Sequence, residues 1–165
     1  MIEKDQYYLR IASTVALRSN CVGLQVGAVA VKGDRIVATG YNGTAAGLAN
    51  CVDGGCTRCS DRDQFPSGTA YDLCVCVHAE ANAVAMAARF GIALEGSILY
   101  VTNQPCFGCS KELLQVGVTE VFYGKTWKPD PRVKDDYEIL QRELHSRRLL
   151  APADPHPGDL QIRRP

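Results

Sequence analysis

The order of the elements predicted from the sequence indicates a layered α/β domain with a mixed sheet. Three observations support this prediction: an amphipathic helical stretch near the start, short apolar runs typical of strands, and two helical segments that each stop at a glycine. The resulting order is helix, strand, strand, helix, strand, helix, strand, helix. A chain of 165 residues suits one core of ordinary size. We therefore predict a single domain over residues 1–150.

The first half of the chain predicts a helix followed by a hairpin. Residues 4–19 form the helix, because Tyr7, Tyr8, Ile11, Ala12, Val15 and Ala16 recur at helical spacing. Residues 26–31 and 36–39 are apolar runs that flank Lys32-Gly33-Asp34-Arg35, in which Gly33 permits a positive φ. The stretch Gly40-Tyr41-Asn42-Gly43 then ends the second strand in a turn.

A cysteine-rich insertion, about residues 44–76, follows the hairpin. Its first thirty residues show no hydrophobic periodicity, and it contains Cys51, Cys56, Cys59, Cys74 and Cys76. A loop of this length within a compact domain normally serves a metal or forms one side of a site.

The second half alternates helices and strands and then becomes rich in proline. Alanine-rich residues 79–90 form a helix that ends at Gly91, and residues 106–116 form a helix closed by Gly117. Strands are predicted at 97–102 and 118–123. Residues 132–148 are predicted to be the last helix because apolar residues form one stripe, made of Val133, Tyr137, Leu140 and Leu144. The proline-rich tail, residues 151–165, is predicted to be extended or disordered.

The composition disfavours several classes of partner. Lys plus Arg and Asp plus Glu number 18 each, so the chain has no bulk charge with which to attract nucleic acid or an anionic membrane. The first twenty residues carry Glu3, Lys4, Asp5, Arg10 and Arg18, which is unlike a signal peptide, and no apolar run reaches transmembrane length. We therefore expect a cytoplasmic protein, in which eight cysteines favour metal binding over disulfides.

Two short motifs predict a zinc site. His78-Ala79-Glu80 precedes Pro105-Cys106-Phe107-Gly108-Cys109 by a gap of 24 residues. Cys106 and Cys109 lie one turn apart on a helix that begins near Cys106, so both thiols face one point, and His78 supplies a third ligand. The fourth position of a tetrahedral zinc is left for water. This His-x-Glu and Pro-Cys-x-x-Cys arrangement is the established signature of zinc-dependent nucleobase deaminases.

The residue types in these motifs suit hydrolytic deamination. Helix N-termini help to keep Cys106 and Cys109 as thiolates, and zinc lowers the pKa of a bound water molecule. Glu80 is not needed as a ligand and is predicted to transfer protons as the catalytic acid and base. The simpler alternative is a histidine at a helix start beside an unrelated pair of thiols.

The chain resembles the cytidine/deoxycytidylate deaminase superfamily, and deoxycytidylate (dCMP) deaminases in particular, over roughly residues 5–127. The matching segments are Arg18-Ser19-Asn20-Cys21, Gln25-Val26-Gly27-Ala28-Val29, Gly40-Tyr41-Asn42-Gly43-Thr44, His78-Ala79-Glu80-Ala81-Asn82-Ala83, Tyr100-Val101-Thr102, Pro105-Cys106 through Cys109, and Val121-Phe122-Tyr123. The resemblance implies a three-layer α/β/α fold with a five-stranded sheet, although the sequence itself indicates four strands. It also implies conversion of dCMP to dUMP with release of ammonia, a small nucleotide as the partner, and a homo-oligomer, hexameric or dimeric.

The same resemblance implies several substrate contacts. Asn42 would contact the sugar or phosphate, and Ala79 would contribute backbone to the base pocket. The alternative for Asn42 is an asparagine that only serves a turn. Tyr123 and Trp127 are suited to stacking on a base, and core packing is the alternative for both.

A second, structural zinc is predicted in the cysteine-rich insertion. Cys56-x-x-Cys59 has the spacing of a zinc knuckle, and Cys51 and Cys76 complete four sulfurs, with Cys21 and Cys74 as alternates. Some members of the superfamily hold a structural zinc from positions that resemble Cys21 and Cys51. The alternative is a set of free buried thiols that pack as small apolar side chains.

Other functions stay open on the sequence alone. Bacterial relatives often carry basic residues where this chain has Gly23-Leu24-Gln25, so the substrate could instead be a free base, a nucleoside or a modified nucleotide. A non-catalytic zinc-stabilised interaction module is the alternative from another class, and it would have no need of Glu80. Editing of a polynucleotide is disfavoured by the neutral charge.

Overall fold

The computed structural model describes residues 2–65 and 69–149. Its helices are α1 (Lys4–Ala16), α2 (Thr57–Ser60), α3 (Ala79–Arg89), α4 (Phe107–Gln115) and α5 (Lys134–Glu143). Its strands are β1 (Gly27–Lys32), β2 (Arg35–Tyr41), β3 (Gly43–Thr44), β4 (Cys76–Val77), β5 (Ile98–Asn103), β6 (Glu120–Lys125) and β7 (Arg147–Arg148). Short 3-10 turns lie at Cys51–Asp53, Tyr71–Leu73 and Pro131–Val133.

The main sheet has five strands in the order β2-β1-β5-β6-β7, and it is mixed. β1 pairs antiparallel with both β2 and β5, whereas β5, β6 and β7 run parallel. Two parallel neighbouring strands need a crossover that returns the chain to the end of the sheet where the first strand began. Between β5 and β6, α4 forms that crossover. The α/β fold class and its mixed five-stranded sheet are therefore confirmed.

Each face of the sheet covers its own hydrophobic core, which makes the domain three-layered. Along β1, Ala28 and Ala30 pack toward α3, whereas Val29 and Val31 pack toward α1. β5 and β6 alternate in the same way, as expected from the two-residue period of a strand. The helix α1 covers one face, and α3 and α4 lie on the side of the core that contains Leu113 and Leu144.

Two glycines let the helices approach the sheet closely. A Cβ at Gly27 would lie 2.1 Å from the Ala12 carbonyl oxygen of α1. A Cβ at Gly40 would lie 2.1 Å from the Ala79 carbonyl oxygen of α3. Because α3 carries part of the candidate site at its first turn, Gly40 fixes the depth at which that turn sits over the sheet.

The predicted final helix, residues 132–148, is wrong at its C-terminal end. The helix stops at Glu143, His145 takes a left-handed conformation with φ of 43°, and the chain turns back toward the sheet. Leu144 is fully buried, and its carbonyl accepts a hydrogen bond from the Val121 N–H. Arg147 and Arg148 then pair with β6 as the fifth strand, which sequence pattern alone did not reveal.

The other predicted elements are present with shifted ends. The first helix ends at Ala16, not at residue 19, and the strand predicted at 118–123 begins at Glu120 and continues to Lys125. The turn predicted at residues 40–43 begins two residues later, since Tyr41 still belongs to β2, and Gly43–Thr44 pairs with Cys76–Val77. Within the described residues no helix is both long and apolar enough to cross a bilayer. The predicted proline-rich tail lies outside the described residues.

Candidate active site

The starts of two helices place His78, Cys106 and Cys109 together. His78 is the residue that precedes α3, Cys106 is the residue that precedes α4, and Cys109 lies in the first turn of α4. The Nδ1 atom of His78 lies 3.4 Å from each of the Cys106 and Cys109 sulfurs. All three candidate ligands therefore meet at one point, although 28 residues separate His78 from Cys106.

These distances fit a zinc ion. A tetrahedral zinc with ordinary bond lengths holds a sulfur and a nitrogen about 3.6 Å apart. Both thiols are buried and His78 is half-buried, so one side of the cluster faces the neighbouring cavity. A neutral imidazole and two thiolates are donors that zinc prefers, and three protein ligands leave one position open.

Hydrogen bonds among the three side chains shift the pKa values of all three. The hydrogen bond from Cys109, followed by the bond from His78, lowers the pKa of the Cys106 thiol to about 4. The hydrogen bond to Cys106 raises the pKa of His78, and the bond to Cys106 raises that of Cys109. A metal ion at this point would replace the shared protons, since ligands bind metals in their deprotonated forms.

Glu80 lies beside this cluster in the first turn of α3. Its side chain is 5% exposed, and burial raises the pKa of its carboxyl group to about 7. The Glu80 backbone N–H and the positive charge of His78 act in the opposite direction. A buried carboxylate next to the open side of a metal site is the arrangement that a proton-transferring group requires.

A cavity of about 350 Å³ opens in front of these residues. His78, Ala79, Glu80 and Cys106 are among the residues that line it. Tyr71 closes one side, since its ring packs edge-on against the His78 ring at 4.9 Å and its hydroxyl accepts a hydrogen bond from the Trp127 Nε1–H at 3.1 Å. The cavity therefore joins a candidate metal site to an aromatic surface.

Asn42 lines the cavity and also holds the preceding loop in place. Its side-chain oxygen accepts hydrogen bonds from the Val26 N–H at 2.7 Å and the Ser19 hydroxyl at 2.8 Å. Its side-chain nitrogen donates to the Leu24 carbonyl at 2.8 Å. Asn42 thus stabilises the loop that contains Leu24 and Val26. A contact with a substrate would come from the second N–H of the same side-chain amide.

Of the remaining residues predicted to contact the substrate, two line the cavity and one does not. Ala79 and Trp127 line the cavity, and their contacts with a substrate stay predictions. Tyr123 does not: it is buried in the core beneath the sheet with Leu99 and Val121, because odd-numbered residues of β6 face that core. Tyr123 therefore has the packing role that was its alternative.

The cysteine-rich insertion brings six thiols together, but not as the predicted set of four. One group contains Cys21, Cys51, Cys59 and Cys76, and a second contains Cys56, Cys59, Cys74 and Cys76, with all sulfurs of a group within 4.8 Å of one another. The predicted combination of Cys51 with Cys56 is wrong, since these two fall into different groups. Cys21, an alternate from outside the insertion, is a full member of the first group.

Three cations at the cavity were not predicted from the sequence. Arg58 and Arg62 lie on and just after α2, and Lys128 lies beyond β6. The Arg58 guanidinium stacks over the Tyr71 ring at 5.6 Å and donates to the Thr69 carbonyl at 2.7 Å. No local spacing indicates this placement, because Arg58 lies in α2 whereas Arg62 lies beyond the end of that helix.

Comparison with protein families gives one match that spans most of the chain. The model of the cytidine and deoxycytidylate deaminase zinc-binding region matches residues 2–125. This range includes both zinc motifs, Glu80 and the whole cysteine-rich insertion.

Curated relatives from several organisms carry the name deoxycytidylate deaminase. The deoxycytidylate deaminase of Schizosaccharomyces pombe is 43% identical over 126 residues, which cover 76% of this chain and 38% of that protein. The deoxycytidylate deaminase of Mycobacterium phage D29 is 42% identical over 129 residues, covering 73% of this chain and 94% of the phage protein. The chain spans about two-fifths of the length of the two yeast relatives that it matches.

Solved structures agree with the fold. The dCMP deaminase from cyanophage S-TIM5 in its apo form superposes with a TM-score of 0.68 at 30% identity, covering 90% of this chain and 100% of the other. The same enzyme in complex with dCMP and dUMP gives a TM-score of 0.68 at 29% identity, covering 90% of this chain and 99% of the other.

Proposed function

Because the chain belongs to the cytidine and deoxycytidylate deaminase zinc-binding family, we propose that it is a zinc-dependent hydrolase that converts dCMP to dUMP and ammonia. The observation that carries the proposal is the convergence of His78, Cys106 and Cys109 beside buried Glu80, next to one cavity that His78, Glu80 and Cys106 line. His78, Cys106 and Cys109 would hold the catalytic zinc, and Glu80 would be the catalytic residue.

The chemistry requires that water add to ring carbon C4 and that the bond from C4 to the amino nitrogen break. Zinc bound by the three ligands would supply an activated water molecule. Glu80 would accept a proton from that water and deliver it to ring nitrogen N3. It would then accept the second proton from the hydroxyl group added to C4 and deliver it to the departing amino group. Ammonia leaves, and the former water oxygen becomes the uracil carbonyl oxygen, so atoms and charge balance.

Other residues of the cavity would hold the nucleotide in place. The backbone of Ala79 would border the base, and the aromatic surface of Tyr71 and Trp127 suits a planar ring. Arg58, Arg62 and Lys128 are the cations at the same cavity, and we assign the phosphate to them. Asn42 would contact the sugar through its remaining amide N–H.

These cations favour a nucleotide over a nucleoside or a free base, which is the second candidate function. The sequence lacks basic residues at Gly23-Leu24-Gln25. Gly23 and Leu24 line the cavity all the same, and Arg58 and Arg62 lie in that lining too. The cysteine-rich insertion would thus provide the charge that other family members place on a different segment.

A substrate panel tests the proposal. The purified protein is incubated with dCMP, deoxycytidine, cytosine and guanine, and ammonia release is measured. We expect turnover of dCMP with kcat/KM at least tenfold above that for deoxycytidine. Turnover of deoxycytidine without turnover of dCMP would overturn the nucleotide assignment in favour of the second candidate function.

A substitution at Glu80 separates an enzyme from a zinc-stabilised interaction module. Glu80→Gln should keep the bound zinc and the thermal stability while kcat falls by about 10²–10⁴-fold, the usual contribution of a positioned acid or base. The matched control is Glu143→Gln, an exposed glutamate at the end of α5, which should leave kcat unchanged. Unaltered turnover in Glu80→Gln would contradict the assigned role.

Three further assignments accompany this proposal. We place at least one structural zinc in the cysteine-rich insertion, where the thiols form close groups. We expect a homo-oligomer, a hexamer or a dimer, which light scattering on the purified protein would measure. We also assign the protein to the cytoplasm, a compartment that keeps thiols reduced, since all eight cysteines are free.

A further inference from the structure

The two groups of thiols in the insertion are not separate, because Cys59 and Cys76 belong to both. The first group adds Cys21 and Cys51 to these two residues, and the second adds Cys56 and Cys74. Two tetrahedral metal sites that share an edge have the same arrangement, with two ligands common to both sites and two further ligands for each site. We refer to the six residues as the cysteine cluster.

The local chain geometry explains why Cys56 lies beside Cys59 and why Cys74 lies beside Cys76. Cys56 precedes Cys59 by three residues across the start of α2, so the two sulfurs lie on one side of the turn. Cys74 precedes Cys76 by two residues in extended chain, which also puts both side chains on one side. Cys21, after α1, and Cys51, in a 3-10 turn, approach from the opposite end.

Burial in the insertion is confined to these thiols. Among the described residues from 45 to 75, the buried ones are Cys51, Cys56 and Cys59. Four aliphatic side chains of this stretch are exposed, with exposed fractions of 53% for Leu48, 58% for Val52, 59% for Leu73 and 42% for Val75, and Phe65 and Tyr71 are only half-buried. A hydrophobic core would instead bury the aliphatic side chains. Another interaction must therefore offset the conformational entropy that the insertion loses when it becomes ordered.

The sulfur–sulfur distances in the second group are those of metal ligands. The Cys74 sulfur lies 3.7 Å from the sulfurs of Cys56 and Cys59. Two sulfurs on one tetrahedral zinc lie about 3.8 Å apart, whereas a disulfide requires about 2.05 Å.

In the other half of the cluster, backbone N–H groups point at the sulfurs. The Val22 N–H donates to Cys51 at 3.5 Å and the Gly23 N–H donates to Cys21 at 3.4 Å. Such bonds stabilise the negative charge of a ligating thiolate.

We propose that the cysteine cluster holds two zinc ions, with the thiolates of Cys59 and Cys76 each bridging both ions. Cys21 and Cys51 complete the coordination of one ion, and Cys56 and Cys74 complete that of the other. Two divalent ions offset four of the six thiolate charges. A single ion in either group would instead leave two further thiols beside an already anionic centre.

This cluster has a consequence for the neighbouring cavity. Cys21, Cys59, Cys74 and Cys76 all line that cavity, and Cys76 lies two residues before His78. The two ions would therefore fix the position of α2, with its arginine, relative to the catalytic side chains. The assignment of the ions does not depend on the deaminase activity, and the measurements below do not use turnover.

Zinc content is the first test. The intact protein should contain three zinc ions per chain by elemental mass spectrometry, one at His78 and two in the cysteine cluster. The double variant Cys106→Ser/Cys109→Ser removes the catalytic ligands and should retain two. A total of two zinc ions in the intact protein, with one left in the double variant, would overturn the binuclear assignment and leave the deaminase proposal intact.

Cadmium substitution tests the bridges directly in the intact chain. With ¹¹³Cd in place of zinc, two resonances should arise from the cysteine cluster. The β-protons of Cys59 and Cys76 should couple to both of these nuclei, and those of the other four cysteines to one. A single cluster resonance, or two resonances with no doubly coupled cysteine, would overturn the proposal. Since this measurement needs no substitution, it holds even if cysteine variants fail to fold.

Discussion

Replacement of Gly40 by alanine should disable the site by displacing the backbone of α3, without changing any side chain of the site. The added Cβ would lie 2.1 Å from the Ala79 carbonyl oxygen and 2.5 Å from the Ala83 backbone nitrogen. Both are backbone atoms of α3, so no side-chain rotation can relieve the contact. The helix must move away from β2, and Glu80 and the neighbouring His78 move with it.

The size of the effect follows from these distances. The Cβ must retreat by more than about 1 Å from the carbonyl oxygen before the contact reaches ordinary van der Waals range. Overpacking of this kind costs about 1–3 kcal/mol of unfolding free energy. A displacement of about 1 Å in a catalytic group lowers kcat by about 100-fold. We therefore expect Gly40→Ala to lose both stability and turnover of dCMP.

Gly27 offers a matched control on the opposite face of the same sheet. A Cβ there would lie 2.1 Å from the Ala12 carbonyl oxygen and 2.5 Å from the Ala16 nitrogen, both in α1. The steric conflict is nearly identical, but α1 carries none of the zinc ligands and no proton-transferring group. Gly27→Ala should thus lose a similar amount of stability while kcat of the folded protein stays within about threefold of the original.

The assay compares unfolding in urea, kcat for dCMP and bound zinc in the three proteins at a temperature where all are folded. We expect the two variants to lose equal amounts of unfolding free energy and unequal amounts of kcat. If the two variants lose kcat to the same extent, or if Gly40→Ala keeps full activity, the close approach of α3 to β2 does not position the site.

Three further predictions concern binding and stability. Arg62→Gln should lower kcat/KM for dCMP by about tenfold and leave that for deoxycytidine unchanged, because a charged contact to phosphate is lost, whereas exposed Arg35→Gln should change neither. Tyr137→Phe should lower the unfolding free energy by about 0.5–1.5 kcal/mol in a denaturant titration, since the buried hydroxyl donates at 2.7 Å to the carbonyl that precedes the Cys-x-x-Cys pair; an unchanged midpoint would contradict this. Leu144→Ala should cost about 2–5 kcal/mol because the side chain is fully buried, against less than about 0.5 kcal/mol for Ile139→Ala, whose side chain is 47% exposed.

Hydrophobic periodicity was sufficient to predict most of the fold. Four strands and four long helices could be located because each buries a face with a regular repeat, as β1 does with its alternating alanines and valines. The fifth strand escaped because it has two residues, Arg147 and Arg148, both exposed. Only backbone pairing with β6 makes them a strand, and an arginine pair carries no signal for such pairing.

The residues of the zinc motifs were predictable for a different reason. His78, Glu80, Cys106 and Cys109 lie close to the starts of two helices, where local spacing determines which side chains can meet. Arg58 and Arg62 could not be assigned in this way, since their place at the cavity depends on how the insertion folds over β3 and β4. The insertion has no periodic pattern from which that path could be predicted.

The sequence by itself predicted the kind of chemistry, because donor types and their spacing along helices are local properties. It also supplied all six thiols of the cysteine cluster. Tertiary structure alone decided which thiols lie close together, placing Cys21 with Cys51 and separating Cys51 from Cys56. It likewise assigned Tyr123 to the core and the arginines of the insertion to the cavity. These outcomes depend on contacts between segments far apart in the chain, whose geometry is set only when the sheet and its helices pack together.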